Sequence, residues 1–76
     1  MNNKRREKLS VAQEYLRKAE ELISNALDEE QDCLDNLPEN LECSERYEKM
    51  ESAVDKLDEA LSGIDEVRSN IADASA

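Results

Sequence analysis

The chain has 76 residues, with 20 Asp and Glu against 10 Lys and Arg for a formal net charge of −10, one Gly, one Pro, and no His, Trp or Phe. That length allows one domain near the lower limit for a packed core. The scarcity of turn formers, β-branched and aromatic residues argues against a sheet, and the charge has the wrong sign for direct nucleic-acid binding.

Collagen-like and disulfide-dense classes fail on the Gly, Pro and Cys counts. Residues 1–8 are basic like the start of a secretory signal, but the following Leu9-Ser10-Val11-Ala12-Gln13-Glu14 is too polar for its apolar segment. No apolar run approaches the roughly 20 residues of a membrane span. A cytoplasmic protein without membrane contact is expected, with Cys33 and Cys43 reduced, although a bridge between them across a hairpin turn is sterically conceivable.

Apolar spacing in the first half takes steps of three and four. Leu9, Leu16, Ile23 and Leu37 fall at heptad position a, with Glu30 in the skipped place, and Ala12, Ala19, Ala26 and Cys33 fall at d. This predicts a first helix over about 4–36, ended by Pro38, which biases Leu37 away from the helical region. A turn is expected over about 37–43, with residues 38–43 read equally as loop or early helix. Ser44 is a candidate N-cap for a second helix over about 44–73, with Glu45 and Glu48 favouring its macrodipole. There Tyr47, Val54, Leu61 and Arg68 fall at a, and Cys43, Met50, Leu57, Ile64 and Ile71 at d. At 1.5 Å per residue the helices are roughly 50 and 45 Å long, and a short turn makes them antiparallel neighbours. The expected fold is all-α, a coiled-coil-like antiparallel two-helix hairpin.

More apolar residues lie beside that seam: Tyr15, Leu22, Leu27 and Leu34 on the first helix, and Ala53, Ala60 and Val67, every seventh residue, on the second. The stripe is wider than one partner helix covers, and open apolar surface of this kind marks an interface. Ordering roughly 70 residues also costs conformational entropy that one seam offsets poorly. A homodimer, closing a four-helix bundle, is therefore expected. Its candidate interface comprises Leu9, Ala12, Leu16, Ala19, Leu22, Ile23, Ala26 and Leu27 from the first helix. The second helix contributes Met50, Val54, Leu57, Leu61, Ile64 and Val67.

Charge is polarised along the chain. Lys4, Arg5, Arg6 and Lys8 open the first helix, whereas Asp28, Glu29, Glu30, Asp32 and Asp35 close it. Both clusters oppose the macrodipole. An antiparallel dimer sets one copy's basic end near the other's acidic turn end, while the hairpin itself sets the basic end beside Asp65, Glu66 and Asp73. Glu14–Lys18, Glu42–Arg46 and Glu45–Lys49 are spaced for i,i+4 pairs. Glu30 and Arg68 are polar groups at seam positions, expected either at an exposed end of the seam or meeting across a dimer.

Catalytic machinery is missing. Without His there is no ready base near neutral pH, and no phosphate loop, zinc helix or di-metal motif occurs. The run Asp28-Glu29-Glu30-Gln31-Asp32 lacks the alternation and Gly of a calcium loop and reads as a solvated face. No enzyme activity, cofactor or metal is expected. Cys33, at d, reads as a small core residue.

The stretch from Asn36 to Glu51, with its Leu-Pro-Glu-Asn-Leu turn, continuing through Ala53, Leu57 and Ala60, resembles small uncharacterised helical proteins of Gram-positive gut bacteria and their phages or mobile elements. The resemblance spans about half the chain, implies an accessory protein, and brings no activity or site residues. Two functions are compatible with these features. One is a structural or protein-interaction module that self-associates through its apolar face. The alternative is an acidic inhibitor of phage anti-restriction or anti-CRISPR type, which mimics nucleic acid and occupies a basic protein partner's groove. Mimicry requires acids spaced regularly along one exposed face.

Overall fold

The structure, a computed structural model, describes residues 1–38 and 44–76. It contains two helices, α1 over Asn3–Asp35 and α2 over Glu45–Ser75, and no strand among the described residues. Most of the expected turn, together with Cys43 and Glu42, lies outside the described residues.

Each helix start is held by a side-chain cap. Asn2 is extended, and its Oδ1 accepts a hydrogen bond from the Arg5 N–H at 2.9 Å. This cap satisfies one of the backbone donors that a helix start leaves open. It works without electrostatic help, because the first turn of α1 holds no acid. In α2 the Ser44 Oγ accepts from the Tyr47 N–H at 3.2 Å, and Glu45 and Glu48 complement the dipole. The end of α1 is closed at Asn36, whose backbone N–H and Nδ2 both donate to the Asp32 carbonyl, at 3.1 and 2.8 Å. Pro38 follows, where a helix cannot continue.

The helices pack side by side into a rod of 59 × 15 × 13 Å. The hairpin expected from the periodicity is present. On α2 the facing residues keep the a and d positions, from Tyr47, Met50 and Val54 through Leu57, Leu61 and Ile64 to Arg68 and Ile71. Met50 and Val54, each 9% exposed, are the two buried side chains among the described residues.

On α1 the seam departs from the expected heptad. Leu9, Ala12, Leu16, Ala19 and Ile23 are half-buried as a and d residues should be, but Ala26 and Cys33 are exposed. Leu27 and Leu34, expected only beside the seam, take their places. A strict seven-residue repeat drifts by about 20° per heptad on a straight helix, because 3.6 residues make a turn rather than 3.5. Over three heptads the facing edge passes from d to e. Cys33 is thus a surface thiol, not a small core residue.

Gly63 is mid-helix in α2, and a Cβ added there would meet nothing within 4 Å. It lowers helix stability by about 1 kcal/mol relative to Ala without serving any close approach.

Candidate association surface

A polar junction at Arg68 ties the two helices together. The Arg68 guanidinium donates to Glu20 Oε2 at 3.0 Å through Nη1 and to Gln13 Oε1 at 3.3 Å through Nε. Gln13 Nε2 donates in turn to the Arg68 carbonyl oxygen at 2.9 Å. Side chains on a helix lean toward its N-terminus. In α2 that direction leads toward the turn, so Arg68 stands opposite Gln13 yet reaches Glu20, two turns further along α1. The expectation that Arg68 sits at an exposed end or waits for Glu30 of a second copy is therefore corrected. Its charge is matched inside the hairpin, at about one-third exposure for each partner. Glu30 is half-buried on α1 and does not meet it.

Because Gln13 and Arg68 grip each other through both backbone and side chain, they fix the axial register. The same register sets Val54 opposite Leu27 and Met50 opposite Gln31, where the seam is most buried. A partly exposed charge-assisted pair contributes modestly, so Arg68→Ala should lower unfolding stability by about 1–2 kcal/mol. Arg68→Leu, which extends the apolar a row, should change it by less than about 1 kcal/mol. Urea unfolding followed by circular dichroism measures both, and an unaffected Arg68→Ala would show that the junction does not hold the hairpin.

The remaining described ion pairs are local to one helix. Arg17 meets Glu14 at 3.5 Å and Glu21 at 3.6 Å, so Glu14 pairs with Arg17 and not with the expected Lys18. Glu45–Lys49 forms as its spacing implies, at 3.4 Å, and Lys56–Glu59 is present at 3.3 Å. Among the described residues, Lys4, Arg5, Arg6 and Lys8 form no ion pair with Asp65, Glu66 or Asp73. The basic end of α1 is left to solvent.

The expected interface residues separate into two groups. Leu9, Ala12, Leu16, Ala19, Ile23 and Leu27 on α1, and Met50, Val54, Leu57, Leu61 and Ile64 on α2, close the seam within one chain. Leu22, Ala26 and Val67 point away from it. Leu22 is 65% exposed and Tyr15 72% exposed, and Val11 and Val67 are also open to water.

These outward residues share one side of the rod. At 100° per residue, Tyr15 and Leu22 at g of α1 lie about a quarter turn round from the seam, with Ala26 and Cys33 next to them. Ala53, Ala60 and Val67 at g of α2 are offset by a similar angle in the same rotational sense. Since the helices run oppositely, equal offsets of the same sense bring both g rows to the same flank. The sequence had suggested these residues one helix at a time; the pairing of the two rows needs the register and direction that the structure supplies.

Elsewhere the surface offers little chemistry. A shallow depression bordered by Arg17, Glu20, Glu21, Ser24 and Asn25 comes from one helix and is open. Among the described residues, no group of three or more His, Cys, Asp or Glu is arranged to hold a metal ion, and no helix is long and apolar enough to cross a membrane. Acids do recur every seventh residue on the outer face of α1, at Glu7, Glu14, Glu21, Asp28 and Asp35, all exposed. That row is sparse, and Arg17 binds two of its members. Comparison with known proteins finds no family model, no curated protein and no solved structure that matches the chain.

Proposed function

We propose that this protein is a non-enzymatic structural or interaction module that pairs with a second copy of itself, antiparallel, to complete a four-helix bundle. The observation that carries this reading is the flank on which the g rows of both helices leave Tyr15, Leu22 and Val67 uncovered. The exposed area supports it. The rod presents 5846 Å² to solvent, whereas a compact monomer of its 8.6 kDa mass presents roughly 4,700 Å². The excess is comparable to the roughly 800 Å² that each partner buries in a standard interface.

The acidic-mimic reading has the row of acids on α1 in its favour, but charge density weighs against it. A net charge of −10 along 59 Å is sparse beside duplex DNA, with about one charge per 1.7 Å.

Sedimentation equilibrium over a range of concentrations, at low and high salt, tests the proposal. The expected result is a dimer that persists at high salt, since its free energy comes mainly from apolar burial. A monomer at every concentration overturns the reading.

A further inference from the structure

Charge is sorted between the two flanks of the rod. On either helix the c position lies about 40° beyond g, further round the same side. Lys4, Lys8 and Lys18 of α1 and Arg46, Lys49 and Lys56 of α2 therefore border the uncovered apolar rows, and all six are exposed. The opposite flank, at b and e, carries Glu48, Glu51, Asp55, Asp58 and Asp65 on α2 with no base among them. In a chain of net charge −10, the apolar flank is thus positively charged. Among the described residues, Glu29 at g and Asp32 at c are the acids on it.

The hairpin gives these two acids little support. Both stand near the C-terminus of α1, where a carboxylate opposes the macrodipole, and the last turn holds no base to offset them. Among the described residues neither forms an ion pair, and neither do Lys4, Lys8 and Lys18 on the same flank.

From this placement we infer that Glu29 and Asp32 are the charge determinants of self-association. They put negative charge on a positive flank, so a second copy presenting the same flank meets opposite charge. This rests on the self-association proposed above and names the residues that direct it. In the antiparallel pair, a two-fold midway between Tyr15 and Leu22 sets the two most exposed large side chains of α1 against each other. Lys8 then comes level with Glu29 of the second copy and Arg5 with its Asp32, Lys4 lying one residue further. The other two-fold runs along the rod, with both turns at one end, and sets α1 against α2 of the second copy. There the Gln13–Arg68 register puts Asp32 level with Lys49 of the second copy, and Glu29 within a turn of it. Either closed pair covers both acids with bases. Without the acids two positive flanks would meet, and like charges set face to face oppose association.

Paired charge reversals test the assignment, read as dimer dissociation constants by sedimentation equilibrium. Glu29→Lys with Asp32→Lys should weaken the dimer more than about tenfold. Asp28→Lys with Asp35→Lys changes the charge equally in the same stretch, but at f on the outer edge. That variant should keep the constant within about threefold of native, because its charges lie off the interface and are screened. Both variants bring cations to the C-terminus of α1, so urea unfolding below the dimerisation range should show neither hairpin destabilised. Adding Lys4→Glu and Lys8→Glu to the first variant should restore the antiparallel dimer. Restoration by Lys49→Glu and Lys56→Glu instead supports the same two acids in the other two-fold. Equal constants for the two lysine variants, or a weakening that neither exchange reverses, overturn the role of Glu29 and Asp32 and leave self-association standing. A native chain that is monomeric at every concentration overturns both.

Discussion

Val54→Asp should leave the chain largely unfolded. Val54 is one of two buried side chains among the described residues, set opposite Leu27 where the seam is most enclosed. No cation stands there to receive a carboxylate, since Arg68 is committed to Glu20 two heptads away. An unpaired buried charge costs several kcal/mol, and a core of this size rarely supplies more than about 3–5 kcal/mol. Far-UV circular dichroism should therefore show loss of most helix, with no cooperative urea transition. Ser52→Asp is the matched control: it adds the same charge two residues away on the outer face of α2 and should keep the native signal. A cooperative, helical Val54→Asp protein would mean that the seam lies elsewhere on α2.

How much of this was legible in the sequence differs between the helices. On α2 the a and d residues are large and their neighbours at e, from Glu51 to Asp58 and Asp65, are acidic, so only one edge can face inward. On α1 the second half offers two edges: Ala26 and Cys33 at d, or Leu27 and Leu34 at e. A 3.5-residue and a 3.6-residue repeat differ too little over one heptad to choose between them, and the choice falls to side-chain volume against Met50 and Val54. The larger Leu pair wins because it fills more space. Arg68 was legible as an anomaly but not as a junction. Its partner is two turns from the point directly across, because the side chain lies along the helix, and positions read straight across the hairpin miss that reach. Gln13 and Glu20 could have been singled out as two polar residues seven apart at e, bordering an otherwise apolar strip.

Leu22→Glu is the counterpart of Val54→Asp, with its effect on association. In a single chain Leu22 touches water more than protein, so the substitution removes no seam contact and adds a good helix former. In the proposed dimer the second copy covers both Leu22 side chains. Losing their burial, each worth about 1.5–3 kcal/mol, should raise the dimer dissociation constant by roughly a hundredfold or more. Sedimentation should accordingly find a monomer at concentrations where the native chain is expected to dimerise. Helix content at high protein concentration should fall far less than in Val54→Asp. Thermal melting separates the two effects further: if the native chain dimerises as proposed, mass action should make its transition rise with protein concentration, and in Leu22→Glu that dependence should disappear over the same range. The opposite pattern, a Leu22→Glu dimer as tight as the native one, would place the partner on another face of the rod. The two substitutions together test a division of the apolar residues by task, with the a, d and late e positions holding one chain and the g positions proposed to hold the next.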